Sequence, residues 1–520
     1  MMKILLIATS FEDGLRIENL GIGRIASYLK HHGYYVDIKY FEKPSDIEVA
    51  YESINTQYDL YGISTYNNNI DFVLKLCDII KSKQKDSVIV LGSKFISSYY
   101  EEFYLYDKAN AVDFLVLGDG EYTLLDIIKS IQNGDDLNLL AKNHKHIVNK
   151  NFTEDKQPLS ININDLPLPD RQWITDNNYI AAYICDCHGC IGKCSFCAQS
   201  NYYNKWTGRS AYSLFSEVEN MYLNTKVRLF IFTGGSFEDP GVLGKKKIEE
   251  FCNYIIKSKY NVCFRCYLRA DSFKDNNDDR ELLLLMKKAG FNVVLVGIEA
   301  GNEEDLKIYQ KRATVTDNYR ILNMLKDAKI YSGTYGFIMY NPYSTLERLK
   351  SNYEFLCANQ PFDVFQFISK LDLYKKTKIH EQVKNENLLF ENKTSRKTII
   401  EQYRFKSLDV NEIFTFIDEH FYNDRIHKIA RNTDYISSNM HGFSSIFDYS
   451  DLMDQLLLYL RIYEELYKEY FYWLYVKNDI QYCKNIYNEL LSNMDDNDKN
   501  MQILQAKFIR KMYKNNIILK

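Results

Sequence analysis

The sequence predicts an α/β protein in three parts. Residues 1–140 form a doubly wound domain, 176–388 an incomplete barrel of six βα units, and 389–520 an all-helical domain. Three observations predict this. Short apolar strands alternate with helical patterns at the start of the chain. The alternation stops in a proline-marked connector and then resumes. Beyond about residue 390 the strand pattern is lost. Alternating β and α elements build parallel sheets covered by helices.

In the first part, KILLIA (3–8) reads as a strand. A helix near 20–31 carries Leu20, Ile22, Ile25 and Leu29, and Gly33 ends it. YYVDIKY, YDLYGIS, VIVLGS and VDFLVLG follow as strands. Ligands bind such open sheets at the loops beyond the strands' C-terminal ends. Those loops are polar or glycine-bearing: Ser10 onward, Gly62 to Ser64, Gly92-Ser93, and Gly118 to Glu121. Residues 141–175 read as a connector, and the prolines of DLPLPDR (165–171) favour an extended path.

The barrel strands are AAYICDC, VRLFIFT, NVCFRCYL, NVVLVGI, GTYGFIM and VFQFIS, with helical patterns near 210–223, 244–258, 278–289, 315–328 and 344–358. An active site is expected at the C-terminal ends of these strands. In the last part, LMDQLLLYLRIYEELYKEYFYWLYV reads as one long helix. The tyrosine-rich helices either cap a substrate or form a packing or dimer surface.

The formal charge of −4 gives no basic face for DNA or another polyanion. No apolar run approaches the roughly 18 residues of a membrane helix. The opening MMKILLIATSFEDG reads as a first strand and not as a signal peptide. A reducing cytoplasm is therefore expected, where clustered cysteines point to metal or catalysis. Cys77, Cys252, Cys263, Cys266, Cys357 and Cys483 are scattered and read as small core residues.

Five cysteines remain, in ICDCHGCIGKCSFCAQS (184–200): Cys185, Cys187, Cys190, Cys194 and Cys197. A zinc knuckle would need a second Cys or His pair at finger spacing, and none follows. Cys190, Cys194 and Cys197 have the spacing C-x3-C-x2-C on a loop after the first barrel strand, which suits a thiolate-bound iron–sulfur cluster. Three thiolates on a [4Fe–4S] cube leave one iron open for a substrate or cofactor.

CIGKCSFC, with Phe196 before its last cysteine and six βα units after it, resembles the radical S-adenosylmethionine (SAM) enzymes. The resemblance implies that the open iron chelates SAM. Reductive cleavage then gives a 5′-deoxyadenosyl radical that removes a hydrogen atom, while the protein aims the radical and excludes water and oxygen. It also implies SAM contacts at Phe196, at Gly234, Gly235 and Ser236 of IFTGGSFEDPG, at Arg269 of CYLRAD and at Glu299 of GIEAGN. FIMYNPYSTLE and LDLYKKTKI are similar to the family's fifth and sixth units. Each residue also has a plainer reading: Arg269 pairs with an acid on the barrel rim, Glu299 caps the next helix, and Gly234-Gly235 is a turn.

Relatives have a Ser-Arg-Gly-Cys-like run where this chain has Cys187-His188-Gly189-Cys190, so His188 stands in place of a basic residue. Cys185 and Cys187, placed on one face of the strand by alternation, are either small inward-facing barrel residues or, for Cys187, a hydrogen donor or redox thiol. As a fourth ligand Cys187 would block SAM.

Residues 1–140 resemble the flavodoxin-like cobalamin-binding domain of one radical SAM subgroup, through NLGIGRIASYLKHHGYYV, YDLYGIST, VIVLGS and VDFLVLGDGEYT. The implied cobalamin contacts are Ser10, Gly62, Ser64, Tyr66, Gly92, Ser93, Gly118, Gly120 and Glu121. The Asp-x-His-x-x-Gly motif of a lower axial histidine is missing, since the first histidine is His31, and many members of the subgroup lack it too. The usual Gly-Gly is Gly92-Ser93 here, and the serine is expected to crowd the ligand's tail.

The resemblance implies methylation of an unactivated carbon in a small-molecule, natural-product or peptide substrate, with an external donor such as flavodoxin or ferredoxin. A few relatives instead catalyse rearrangement or cyclisation. Methylthiotransferases need three more N-terminal cysteines, and only Cys77 is there. Peptide maturases with auxiliary clusters need a cysteine-rich C-terminal extension, and only Cys483 follows residue 380. The reading from another class is a non-catalytic metal-binding module.

Overall fold

The computed structural model describes residues 2–10, 18–42, 47–54, 56–105, 109–177, 179–203, 205–333, 335–359, 362–390 and 400–515. The first domain is built on β1 (Lys3–Ser10), β2 (Tyr35–Glu42), β3 (Leu60–Ser64), β4 (Val88–Gly92), β5 (Phe114–Val116) and β6 (Ile147–Val148), in the order β2-β1-β3-β4-β5-β6. All pairs are parallel except β5 with β6.

Ile4 to Thr9 are all buried, as a strand covered on both faces requires. Leu5 and Ile7 pack under the helices 70–83 and 94–103, while Ile4, Leu6 and Ala8 pack under the helices 20–31 and 121–133. Asn19 starts the helix Leu20–His31 by accepting the Ile22 N–H at 3.1 Å. The order of strands reverses between β1 and β3, where a doubly wound sheet opens its ligand crevice. The sheet runs further than the sequence suggests. β6 lies in the expected connector, a two-residue strand too short to show a period amid polar residues.

β7 (Ala181–Ile184), β8 (Cys187–His188), β9 (Thr207–Gly208), β10 (Leu229–Phe232), β11 (Cys263–Arg269), β12 (Phe291–Glu299) and β13 (Gly336–Phe337) follow. Five of them make a parallel sheet, β13-β12-β11-β10-β7, that does not close. β8 and β9 form a separate antiparallel pair. Cys185 and Cys187 therefore lie beyond the end of β7 and not on it.

The expected sixth strand, VFQFIS, is also corrected. Val364–Ile368 is a helix, begun by Asp363 in a capping box with Gln366. A buried apolar run of this length suits either structure, and the cap decides. Strand-like pairing comes just after it, where Tyr340 bridges Lys370 in parallel.

Asp363 accepts the Phe365 N–H at 2.7 Å, yet burial first, and then the nearby Asp434, push its carboxyl up to about 7. Its ionised form is disfavoured in the fold, so stability falls as pH rises from the ordinary carboxylate range through 7. Asp363→Asn is therefore expected to raise the thermal midpoint at pH 8 and to lose that advantage near pH 4. Calorimetry at both pH values checks this, and an equal shift at both would refute it.

The C-terminal helices Leu408–Phe421, Asp424–Gly442, Ser450–Tyr475 and Ile480–Lys514 pack on the barrel. Before them Ile400–Glu401 pairs with Leu373–Tyr374 as a small antiparallel ribbon, so the tail is not wholly helical. Arg265 of β11 donates to Ser438 O at 2.8 Å, and Asn292 of β12 to Gly442 O at 2.8 Å. The Tyr475 hydroxyl donates to Phe367 O at 2.6 Å. Tyr463, Tyr467, Tyr470 and Tyr475 are buried, which makes these faces packing surfaces. Among the described residues, no helix is long and apolar enough to cross a membrane.

Candidate functional site

A cavity of about 440 Å3 lies between the C-terminal ends of the two sheets. One wall comes from the first domain, and eight of the nine residues expected there line it: Gly62, Ser64, Tyr66, Gly92, Ser93, Gly118, Gly120 and Glu121. The ninth, Ser10, ends β1, and its side chain lies outside the described residues. The other wall comes from the barrel and includes Tyr183, Cys185, Cys187, His188, Tyr203 and Gly235.

Local chemistry sets these loops. Gly118 has φ +81°, and a Cβ there would sit 2.1 Å from Leu159 O, so only glycine fits. Ser93 lines the cavity beside Gly92. Its hydroxyl caps the helix 94–103 at Ile96 N and donates to Thr65 O.

Cys190, Cys194 and Cys197 follow β8 on one loop, all half-buried and none of them in a disulfide. A Cβ on Gly192 would lie 3.3 Å from Cys190 Sγ and 3.9 Å from Cys194 Sγ, so the loop wraps a space that a side chain would fill. Burial pushes the Cys190 thiol up to about 11, and Cys194 and Cys197 upward as well. Among the described residues, no three His, Cys, Asp or Glu side chains are set to hold a single metal ion. Separate thiols around an open space fit a cluster, whose ligands bind different irons.

The loop is held from two sides. Asp239 accepts the Ile191 N–H at 3.0 Å, and Tyr309 O accepts the Ser195 N–H at 2.8 Å. Phe196 meets Tyr309 edge-on at 5.4 Å. Arg269 takes up rim acids and a hydroxyl: it donates to Asp239, to Asp271 at 3.1 Å and to Ser272 at 2.8 Å. Glu299 pairs with Lys311 at 3.4 Å, and Asn302, not Glu299, caps the next helix. Ser236 is buried and donates to Glu238 at 2.7 Å. The Gly234 N–H donates to buried Asp186 at 2.8 Å. A Cβ on Gly234 would lie 2.4 Å from Cys187 Sγ, and one on Gly235 3.0 Å from Cys190 Cβ, so both glycines make room beside the loop. Of the six expected SAM contacts, only Gly235 reaches the cavity wall; the others are Phe196, Gly234, Ser236, Arg269 and Glu299.

A radical SAM superfamily model matches residues 184–356, and a B12 binding domain model matches residues 9–128. The chain joins a B12-binding domain to a radical SAM domain. The radical SAM domain implies a [4Fe–4S] cluster and SAM, and the B12-binding domain implies cobalamin. The anaerobic magnesium-protoporphyrin IX monomethyl ester cyclase of Cereibacter sphaeroides is 23% identical over 364 residues, 65% of this chain and 56% of that one. The chain thus spans little more than half the length of this curated relative.

Among solved structures, the cobalamin-dependent SAM radical enzyme OxsB, with aqua-cobalamin and SAM bound, superposes with a TM-score of 0.74 at 17% identity, covering 100% of this chain and 82% of that one. The radical SAM methyltransferase TsrM from Kitasatospora setae, with tryptophan and a SAM analogue bound, gives 0.62 at 13% identity, covering 86% and 90%. These likenesses support the three-part fold, including the helical region.

Sequence reasoning missed the charges that join the two domains. Arg24 of the B12-binding domain lines the cavity, contacts Glu121 at 2.8 Å and reaches His188 of the radical SAM domain at 2.9 Å. Arg171 of the connector donates to Glu18 and Glu217. The signal for Arg24 was its place on the buried face of its helix, with Ile22, Ala26 and Leu29. Its Nε is buried without a hydrogen-bond partner among the described residues. The Arg24–Glu121 pair thus places opposite charges on the cavity wall beside the glycine loops.

Proposed function

We propose that this protein is an enzyme that cleaves SAM reductively at a [4Fe–4S] cluster on Cys190, Cys194 and Cys197 and methylates an unactivated carbon of a small-molecule or peptide substrate. When bound, the cluster, SAM and cobalamin supply a carbon-centred radical and a transferable methyl group. The observation that carries this reading is the shared cavity. The glycine loops of the B12-binding domain form one wall and the residues leading into the cysteine loop form the other.

The chain's own residues then have distinct tasks. Gly62, Gly92, Gly118 and Gly120 leave room for the corrinoid, and Arg24 lines the wall beside it. Gly234 and Gly235 leave room for SAM, with Phe196, Ser236, Arg269 and Glu299 shaping its surroundings. The two sheets exclude water between them. A reduced flavodoxin or ferredoxin is the proposed electron source, and the cytoplasm the proposed location.

A second reading, rearrangement or ring formation without methyl transfer, draws on the relative named as a cyclase. Anaerobic reconstitution with hydroxocobalamin, SAM, a reductant and substrate separates the readings. S-adenosylhomocysteine formed together with 5′-deoxyadenosine marks methylation, and 5′-deoxyadenosine alone marks rearrangement. A colourless, iron-free protein would sink both.

Gly234→Ala gives a direct check on the SAM wall. Its methyl group would press on Cys187 and on Asp186 Oδ1, 2.6 Å away. Overpacking is expected to cost the fold about 1–3 kcal/mol and, by shifting the turn, to weaken SAM binding, measured by equilibrium dialysis, with iron content kept. Unchanged SAM affinity would remove Gly234 from the site.

A further inference from the structure

We propose that His188 is a positioning residue that couples occupancy of the inter-domain cavity to the cysteine loop, so that cluster and corrinoid each strengthen the other's binding. The proposal rests on the reading that cobalamin fills that cavity. His188 lies two residues before Cys190, in the β8–β9 pair, where it faces Thr207. Gly189 follows with φ +79°, and a Cβ there would sit 3.0 Å from Lys205 O. The step from His188 to Cys190 therefore has little slack, and a shift of the ring moves the first cluster thiol.

The ring is gripped from the B12-binding domain. A guanidinium has no acceptor, so Arg24 Nη1 donates to His188 Nε2, at 2.9 Å. The ring proton then sits on Nδ1, which faces Asp119 Oδ2 at 3.3 Å and Ile161 O at 3.3 Å. Tyr203, on the cavity wall, stacks on the ring at 4.8 Å. Arg24, Asp119 and Glu121 line the same cavity.

The shared wall supplies the link, since Arg24 and His188 both line the cavity. A ligand packed against that wall holds the guanidinium and the ring together, and the ring holds the loop. Linkage makes the effect reciprocal: if the corrinoid orders the loop for the cluster, the cluster raises corrinoid affinity by the same factor.

The test is the Kd of hydroxocobalamin by equilibrium dialysis, on cluster-reconstituted and iron-free full-length protein. In the wild type the cluster is expected to tighten binding on the order of tenfold, within the range typical of coupled sites. In His188→Phe, which keeps the stack but not the polar contacts, the ratio should fall to near one. In His188→Gln, whose amide can both accept from Arg24 and donate to Asp119, much of it should return. A wild-type ratio near one overturns the proposal while leaving cobalamin binding intact. An unchanged ratio in His188→Phe overturns the role of His188. No binding to either wild-type form removes both this inference and the cobalamin part of the proposed function. If His188→Phe fails to fold, the wild-type ratio and His188→Gln still decide.

Discussion

Arg171→Met is expected to destabilise the protein by about 3–5 kcal/mol, the usual cost of breaking a buried ion pair by removing one partner. Arg171 is the last residue of the DLPLPDR connector, and its side chain is 10% exposed. Its guanidinium donates to Glu18 before the first helix, to Glu217 on the helix 211–224, and to Tyr183 O of β7 at 2.8 Å. Glu18 and Glu217 side chains are each 2% exposed, and Glu217 also accepts from Arg209. Methionine keeps the length and apolar stem of arginine but leaves Glu18 buried without its cation.

The pH dependence follows. Burial already pushes the Glu18 carboxyl up, and Arg171 works against that shift. Without Arg171 the carboxyl rises further, and holding it ionised costs more as pH climbs past its ordinary value. The gap between variant and wild type should therefore be wider at pH 8 than at pH 5, and adding Glu18→Gln should narrow it at pH 8. Trp173, two residues on, stacks on Tyr40 of β2 at 4.1 Å, so its fluorescence reports the same interface. The first transition in a urea titration should come earlier. A coincident transition in both proteins would show that the pairs contribute little. The surface pair Lys30–Asp170 nearby makes a useful contrast: at 40% and 13% exposure its loss is worth about 0–1 kcal/mol.

The parts of this molecule that follow from local pattern were readable in the sequence, and those built by long-range contact were not. Ile4 to Ala8 form an unbroken apolar run because β1 is covered on both faces, and the cysteine spacing is local by nature. The glycine loops were readable because a close backbone approach, as at Gly118 against Leu159, leaves no substitute. VFQFIS misled because its composition suits a strand, while the deciding features were Asp363 before it and Gln366 within it. The charged contacts were the least visible. Arg24 and His188 are 164 positions apart, and Arg171 and Glu18 are 153 apart. Even where the helix face marks Arg24 as buried, nothing local names its partner, which the meeting of the domains supplies.

The five cysteines of residues 184–200 should separate into two groups under single substitution. Cys194→Ala is expected to abolish the cluster: about four irons per chain should fall to near zero, the brown absorbance should vanish, and 5′-deoxyadenosine should not form. Three thiols are the minimum for a cube with one open iron, and Cys185 and Cys187 are expected not to replace the missing one. The Cys187 sulfur is taken up elsewhere: it lies 3.8 Å from Gly189 O, beside the Asp186 carboxylate and against Gly234. Cys185 sits on the cavity wall, its sulfur 3.6 Å from Cys187 O. Cys185→Ser and Cys187→Ser should therefore keep full iron. If Cys187→Ser keeps iron and also full turnover, its thiol is packing only. If it keeps iron and loses turnover while 5′-deoxyadenosine still forms, the thiol acts after SAM cleavage. Loss of iron in Cys187→Ser, with iron retained in Cys194→Ala, would overturn the division of the five.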